Sequence, residues 1–226
     1  MGLALAAMVG GGLFWYLDSQ GPQDDGPHQL SAPSTLSFAP YYRAGEESDP
    51  HLGLGTADPE ELARYDIKTP TEIAATYSDE LLDGADSSDP NAAQDTLRRA
   101  QNSKRFTVSG AYGEFNNPEL ALSHYFGLMR DSLRESTRKA PGNVVSSLSS
   151  EEETETDSLD GAVLACATLD VDNFDSDDGD RETRVCGWAD YSTVGLVTPY
   201  DGTFGLSTEE AAELTGKVRG EMRIER

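Results

Sequence analysis

Two cysteines, three histidines and one dense run of aspartates carry most of the chemical potential of this 226-residue chain. Cys166 and Cys186 lie in two apolar stretches, Ala162–Leu169 and Thr183–Ala189. A hairpin centred on Ser176 sets them directly opposite each other and pairs Leu164 with Trp188 on the same face. An even cysteine count at opposed strand positions predicts a disulfide. The competing chemistry is a reactive thiol, for which Arg184 is the neighbouring cation. Between the strands runs DVDNFDSDDGD, with Asp170, Asp172, Asp175, Asp177, Asp178 and Asp180. Carboxylate oxygens suit calcium, but an EF-hand loop needs acids at positions 1, 3 and 5, Gly at 6 and Glu at 12. Setting Gly179 at position 6 puts Phe174 at position 1 and Val185 at position 12, so the register fails. A solvated hairpin tip that discourages edge-to-edge pairing is the expectation, with a looser calcium site as the alternative.

His28 and His51 stand in a polar segment, which leaves His124 to serve any Ser-His-Asp or Cys-His arrangement. The chain contains no G-x-S-x-G, H-E-x-x-H or C-x-x-C motif and no phosphate-cradling glycine loop. His124 is therefore expected as a partly buried histidine satisfied by a neighbouring group. Chemistry based on carboxylates alone remains open, because it needs only two acids at the right separation. Asp190, between Trp188 and Tyr191, is the candidate general acid. The bland alternative is an aspartate that accepts backbone hydrogen bonds in a bend, and it is preferred. Arg130, Arg134 and Arg138 recur every four residues and form a basic stripe on an acidic protein. They read as a solvated face with local partners or as a docking surface for an anionic group. Nothing calls for a cofactor.

These residues need elements to place them. Alternation predicts strands at Arg64–Lys68 and Phe106–Tyr112, then at the two cysteine stretches and Ser192–Thr198. Thr69-Pro70 is expected to end the first strand, with Ile73–Tyr77 a short extended or helical piece and Asn91–Asn102 helical. Asn117-Pro118 opens an amphipathic helix over Pro118–Lys139, with Leu122, Tyr125, Phe126, Met129 and Leu133 on its buried stripe. Ser207 and Glu210 form a capping box for a last helix that runs to Met222. The small residues opposite the cysteine face, Ala165, Ala167, Gly187 and Ala189, suit a helix packed close to the sheet. The Ser- and Glu-rich stretch 144–160 reads as a loop. The fold expected is α+β: an antiparallel sheet flanked by two main amphipathic helices, preceded by a transmembrane helix.

That transmembrane helix is Met1–Leu17, MGLALAAMVGGGLFWYL, which carries no charge. Its length also suits a signal peptide, but no small-x-small cleavage site or lipobox cysteine follows it. Trp15 and Tyr16 suit a membrane interface, and no Lys or Arg occurs before Arg43. The positive-inside rule then puts the rest of the chain outside the cytoplasm, and a short basic portion is expected to precede residue 1. Residues 18–59, rich in Gly, Pro, Ser and acids, read as a flexible tether, and residues 60–226 as the extracytoplasmic domain. The net charge of −24 excludes general attraction to nucleic acid.

The FTVSGAYG strand before an Asn-Pro-capped helix, and VCGWADYSTVGLVT before the terminal helix, resemble a group of uncharacterised actinobacterial membrane-anchored or secreted proteins. The similarity spans roughly residues 60–223 and is most specific over Val185–Val197. That resemblance implies no reaction and no catalytic residues. More loosely, the layout is similar to the small α+β envelope folds of PsbP- and Mog1-like proteins, an analogy of fold alone. The function expected is a non-enzymatic, membrane-anchored module for an unidentified envelope partner, a protein, lipid or wall component, held in the cytoplasmic membrane by Met1–Leu17. The alternatives are an extracytoplasmic carboxylate-based hydrolase and a calcium-responsive module using Asp170–Asp180.

Overall fold

The computed structural model describes residues 22, 24–44, 52–80, 99, 103–139, 145–153, 159, 161–172, 181–200 and 205–226. Within them lie β1 (His28–Leu30), β2 (Thr35–Leu36), β3 (Tyr41–Arg43), a 3-10 turn (Leu54–Thr56), α1 (Pro59–Arg64) and β4 (Ile67–Ser78). There follow β5 (Arg105–Phe115), α2 (Pro118–Lys139), β6 (Val145–Leu148), β7 (Glu152–Glu153), β8 (Val163–Asp172) and β9 (Arg181–Ala189). The chain closes with β10 (Thr193–Tyr200), α3 (Thr208–Met222) and β11 (Arg223–Glu225). The expected α+β class is observed. Among the described residues one nine-stranded antiparallel sheet runs β2-β3-β4-β5-β10-β9-β8-β6, with β7 also on β8, and β1 pairs separately with β11.

Side-chain alternation along the central strands gives the sheet two different faces. Ala165, Ala167, Val185 and Ala189 face Ala121, Leu122, Tyr125 and Phe126 of α2, so the small-residue face does receive a helix. On the other face Leu164, Cys166 and Cys186 meet Ala211 and Ala212 of α3, and Trp188 packs with Val218 and Met222. Trp188 lies flat across Gly195 on β10, where any side chain would collide with the indole. The expected hairpin register holds: Cys166 pairs with Cys186 and Leu164 with Trp188. Both helix starts also form as expected, with Asn117 Oδ1 accepting from Leu120 N at 3.0 Å and the Ser207–Glu210 capping box complete.

Several sequence expectations are corrected. Residues 28–43 are not tether: β1 joins β11 in the register His28↔Glu225, and β2–β3 extend the sheet beside β4. Leu30 and Leu36 are buried in the core on the α3 face, so the domain begins more than thirty residues earlier than expected. Arg64 ends α1 and does not start a strand. β4 continues through Thr69-Pro70 by means of a bulge between Lys68 and Thr71. Gly113 permits this, because a Cβ there would stand 2.7 Å from the Lys68 carbonyl oxygen. The stretch read as a loop over 144–160 contributes β6 and β7 along β8. Met1–Leu17 lies outside the described residues, as does Asn91–Asn102 apart from Arg99. Among the described residues no helix is long and apolar enough to cross a membrane.

Candidate functional site

The turn between β9 and β10, Asp190-Tyr191-Ser192, is built around a carboxylate. Asp190 is completely buried. Its Oδ1 accepts from Ser192 N (2.9 Å), Ser192 Oγ (3.0 Å) and Thr193 N (2.7 Å), an aspartate holding its own bend. Its Oδ2 accepts from Thr193 Oγ1 (2.7 Å) and from Arg219 Nη2 (2.9 Å) and Nε (3.2 Å) on α3. Trp188 Nε1 donates to the same Thr193 Oγ1 at 3.1 Å, so the largest core side chain is tied into the network. Arg223 brings Nε within 3.1 Å of Oδ2 without the angle of a hydrogen bond. Its Nη2 pairs instead with Asp25, and this pair holds the Asp25 carboxyl below its ordinary range.

The bend reading of Asp190 is therefore observed, and it is larger than expected. The carboxylate has no exposed surface, and its two oxygens accept six hydrogen bonds that hold the turn to α3. Sequence reasoning missed Arg219. Its signal was a charge at i+4 from Thr215, on the buried side of a helix also carrying Ala211, Val218 and Met222. Near the last turn of α3, the guanidinium is further favoured by the helix dipole.

His124 is nearly buried on α2, and its ring stacks on Tyr65 at 3.6 Å between centroids and 14° between planes. The expectation of a satisfied histidine fails at Nε2, which has no hydrogen-bond partner. Burial holds the imidazole below its ordinary value of 6.5, with Glu61 opposing the shift. The fold thus disfavours protonated His124. Stability from this group is complete above the unfolded value and declines as pH falls through 6.5 toward the lower folded value. Urea midpoints measured at about pH 7.5 and about pH 5 should show a loss on acidification that is smaller in His124→Phe. An equal loss in both proteins would contradict this account.

The basic stripe divides into two parts. Arg130 forms an ion pair with Glu151, and its Nε donates to Ser149 O at 3.3 Å, which fastens the β6–β7 segment to α2. Ser123 Oγ joins the same carboxylate at 2.6 Å. Arg134 and Arg138 remain exposed, with Asp131 and Glu135 as partners on their own helix. Arg138 and Lys139 in turn hold the Glu135 carboxyl below its ordinary range.

Cys166 and Cys186 are joined, and both are buried beneath α3. Beside them lies a polar cleft of about 250 Å³ lined by Ser149, Ser150, Glu152, Thr168, Arg184 and Thr208. It is smaller than an ordinary small-molecule site, and Arg184 is already engaged by Thr168 and Glu182. Among the described residues no group of three or more His, Cys, Asp or Glu side chains could hold a metal ion. Asp170 and Asp172 lie on β8, while Asp175, Asp177, Asp178 and Asp180 lie outside the described residues. No family model, curated protein or solved structure matches the chain. The class its fold and site define is an α+β domain closed by an internal disulfide and a buried ion pair.

Proposed function

We propose that the chain is a single-pass membrane protein whose α+β domain stands outside the cytoplasm and binds a cell-envelope component without catalysing a reaction. The observation that carries this reading is the Cys166–Cys186 disulfide in the middle of the sheet, since such bonds persist in oxidising compartments. The uncharged Met1–Leu17 segment, followed by no basic residue before Arg43, supports anchoring with the domain outside. In this reading the chain is a relative of the actinobacterial anchored proteins that its Val185–Val197 segment resembles.

The docking surface centres on the outer half of α2. Arg134 and Arg138 are 76% and 73% exposed at the side chain, and their partners are acids three residues away. Such exposed pairs are screened by solvent and contribute little, so an anionic partner can displace them. Arg130 supports this surface from below and is not part of it.

Protease added to intact protoplasts should digest the domain, and full protection would overturn the topology. In crosslinked envelopes, the Arg134→Glu/Arg138→Glu double variant should lose its partner while keeping the parent melting temperature. Undiminished recovery would remove α2 as the docking surface. Recovery unchanged in Arg130→Gln would fit its supporting role.

A further inference from the structure

The chain immediately after the apolar segment is fastened to the far end of the sequence. His28–Leu30 pairs with Arg223–Glu225, Arg226 N donates to Pro27 O at 3.1 Å, and Ser31 N donates to Met222 O at 2.8 Å. Arg223 links Asp25 to the buried Asp190, and Leu30 is sealed in the core against Gly110. A long tether would let the domain range widely above a membrane. Here only residues 18–24 separate Leu17 from Asp25, the first residue of the clasp, a maximum reach of roughly 28 Å when fully extended.

The clasp also has a definite place on the domain. Arg226 stands over the Tyr112 ring at 4.9 Å, and Tyr112 pairs with Thr193 beside the Asp190 turn. This end of the sheet is opposite Arg105, the first residue of β5. Helix α2 starts at the clasp end, just after β5, and runs back along the sheet to reach β6. Arg134 and Arg138, in the C-terminal half of α2, therefore lie toward the other end.

We infer that the domain is held close to the outer face of the bilayer, with the end carrying Tyr112, Ile224 and Arg226 toward the lipid and the α2 arginines away from it. This rests on the reading of Met1–Leu17 as an anchor. The contact is enforced by a short leash and needs no lipid affinity. Asp24, Asp25 and Glu225 beside Arg226 would oppose binding to an anionic surface. Ile224 is 41% exposed, an apolar side chain placed where the headgroup region would meet it. One consequence is steric: partners reach the domain from the wall side, where the docking stretch of α2 faces.

The test uses the full-length protein in phosphatidylcholine vesicles carrying a headgroup acceptor dye. A single donor amino acid is placed at Glu114 or at Lys104, leaving both cysteines paired. Glu114 lies near the end of β5 and Lys104 immediately before its first residue, roughly 33 Å apart, so transfer from 114 should exceed that from 104 about twofold or more. A flexible Gly/Ser insertion of about 40 residues between Pro22 and Gln23, long enough to restore a wide-ranging tether, should erase the difference. Protein that floats with the vesicles but transfers equally from both sites overturns the inference and leaves the anchor standing. A difference that survives the insertion overturns the leash as its cause. Failure to float removes the anchor and the inference with it.

Discussion

Replacing Asp190 with alanine should cost the domain about 3–5 kcal/mol, the loss expected when one member of a buried ion pair is removed. The variant would leave the Arg219 guanidinium, only 9% exposed, without its carboxylate. It would also strip the acceptor from Ser192 N, Thr193 N and Thr193 Oγ1, the last of which anchors Trp188. Urea unfolding should show a lower midpoint with an unchanged slope, or no cooperative transition at all. A loss below about 1 kcal/mol, the size of an exposed pair, would mean that the network is not load-sharing in solution.

The same logic separates the charge from the turn. Asp190→Asn keeps an oxygen able to accept from Ser192 and Thr193, yet it presents no anion to Arg219. Its loss should lie below that of alanine. Adding Arg219→Met to Asp190→Asn should recover part of the stability, since buried ion pairs replaced by apolar groups of similar volume are often neutral. An Asp190→Asn variant with full stability would show that the turn alone uses this residue.

The central hairpin and both helix starts were legible because their signals are local. Period-two alternation fixes the Cys166–Cys186 register, and the Ser207–Glu210 box sits within one turn. The Asp190–Arg219 pair was half legible. The turn side is local, but the guanidinium comes from a different element and a residue 29 positions away. His28–Leu30 was not legible at all. A three-residue strand whose partner lies at the opposite terminus gains its hydrogen bonds from topology, and polar surroundings hide its single buried leucine. At Thr69-Pro70 a proline that ordinarily ends a strand is absorbed by a bulge, and the permissive Gly113 stands on another strand. The acidic loop after Asp172 gave composition without geometry, and its calcium reading lies outside the described residues.

Removing the disulfide should have the second-largest effect. Cys166 and Cys186 are 20 residues apart, and in the chain-entropy model closing such a loop contributes about 3 kcal/mol. The appropriate variant is Cys166→Ala/Cys186→Ala. Serine at these buried positions under Ala211 and Ala212 would add unsatisfied hydroxyls to the loss. The β8–β9 register also rests on Leu164, Trp188 and the alternating small face, so the variant should keep its strand pairing and lose stability mainly through a freer unfolded chain. The expected signature is a lower urea midpoint with a larger slope, because the unlinked chain exposes more surface when unfolded. Protein recovered from the envelope should be two hydrogens lighter than its reduced form and should resist alkylation even when unfolded until a reductant is added, since both sulfurs are held in the bond. Two thiols that alkylate freely in the recovered protein would refute the bond there, and with it the observation on which the extracytoplasmic reading stands.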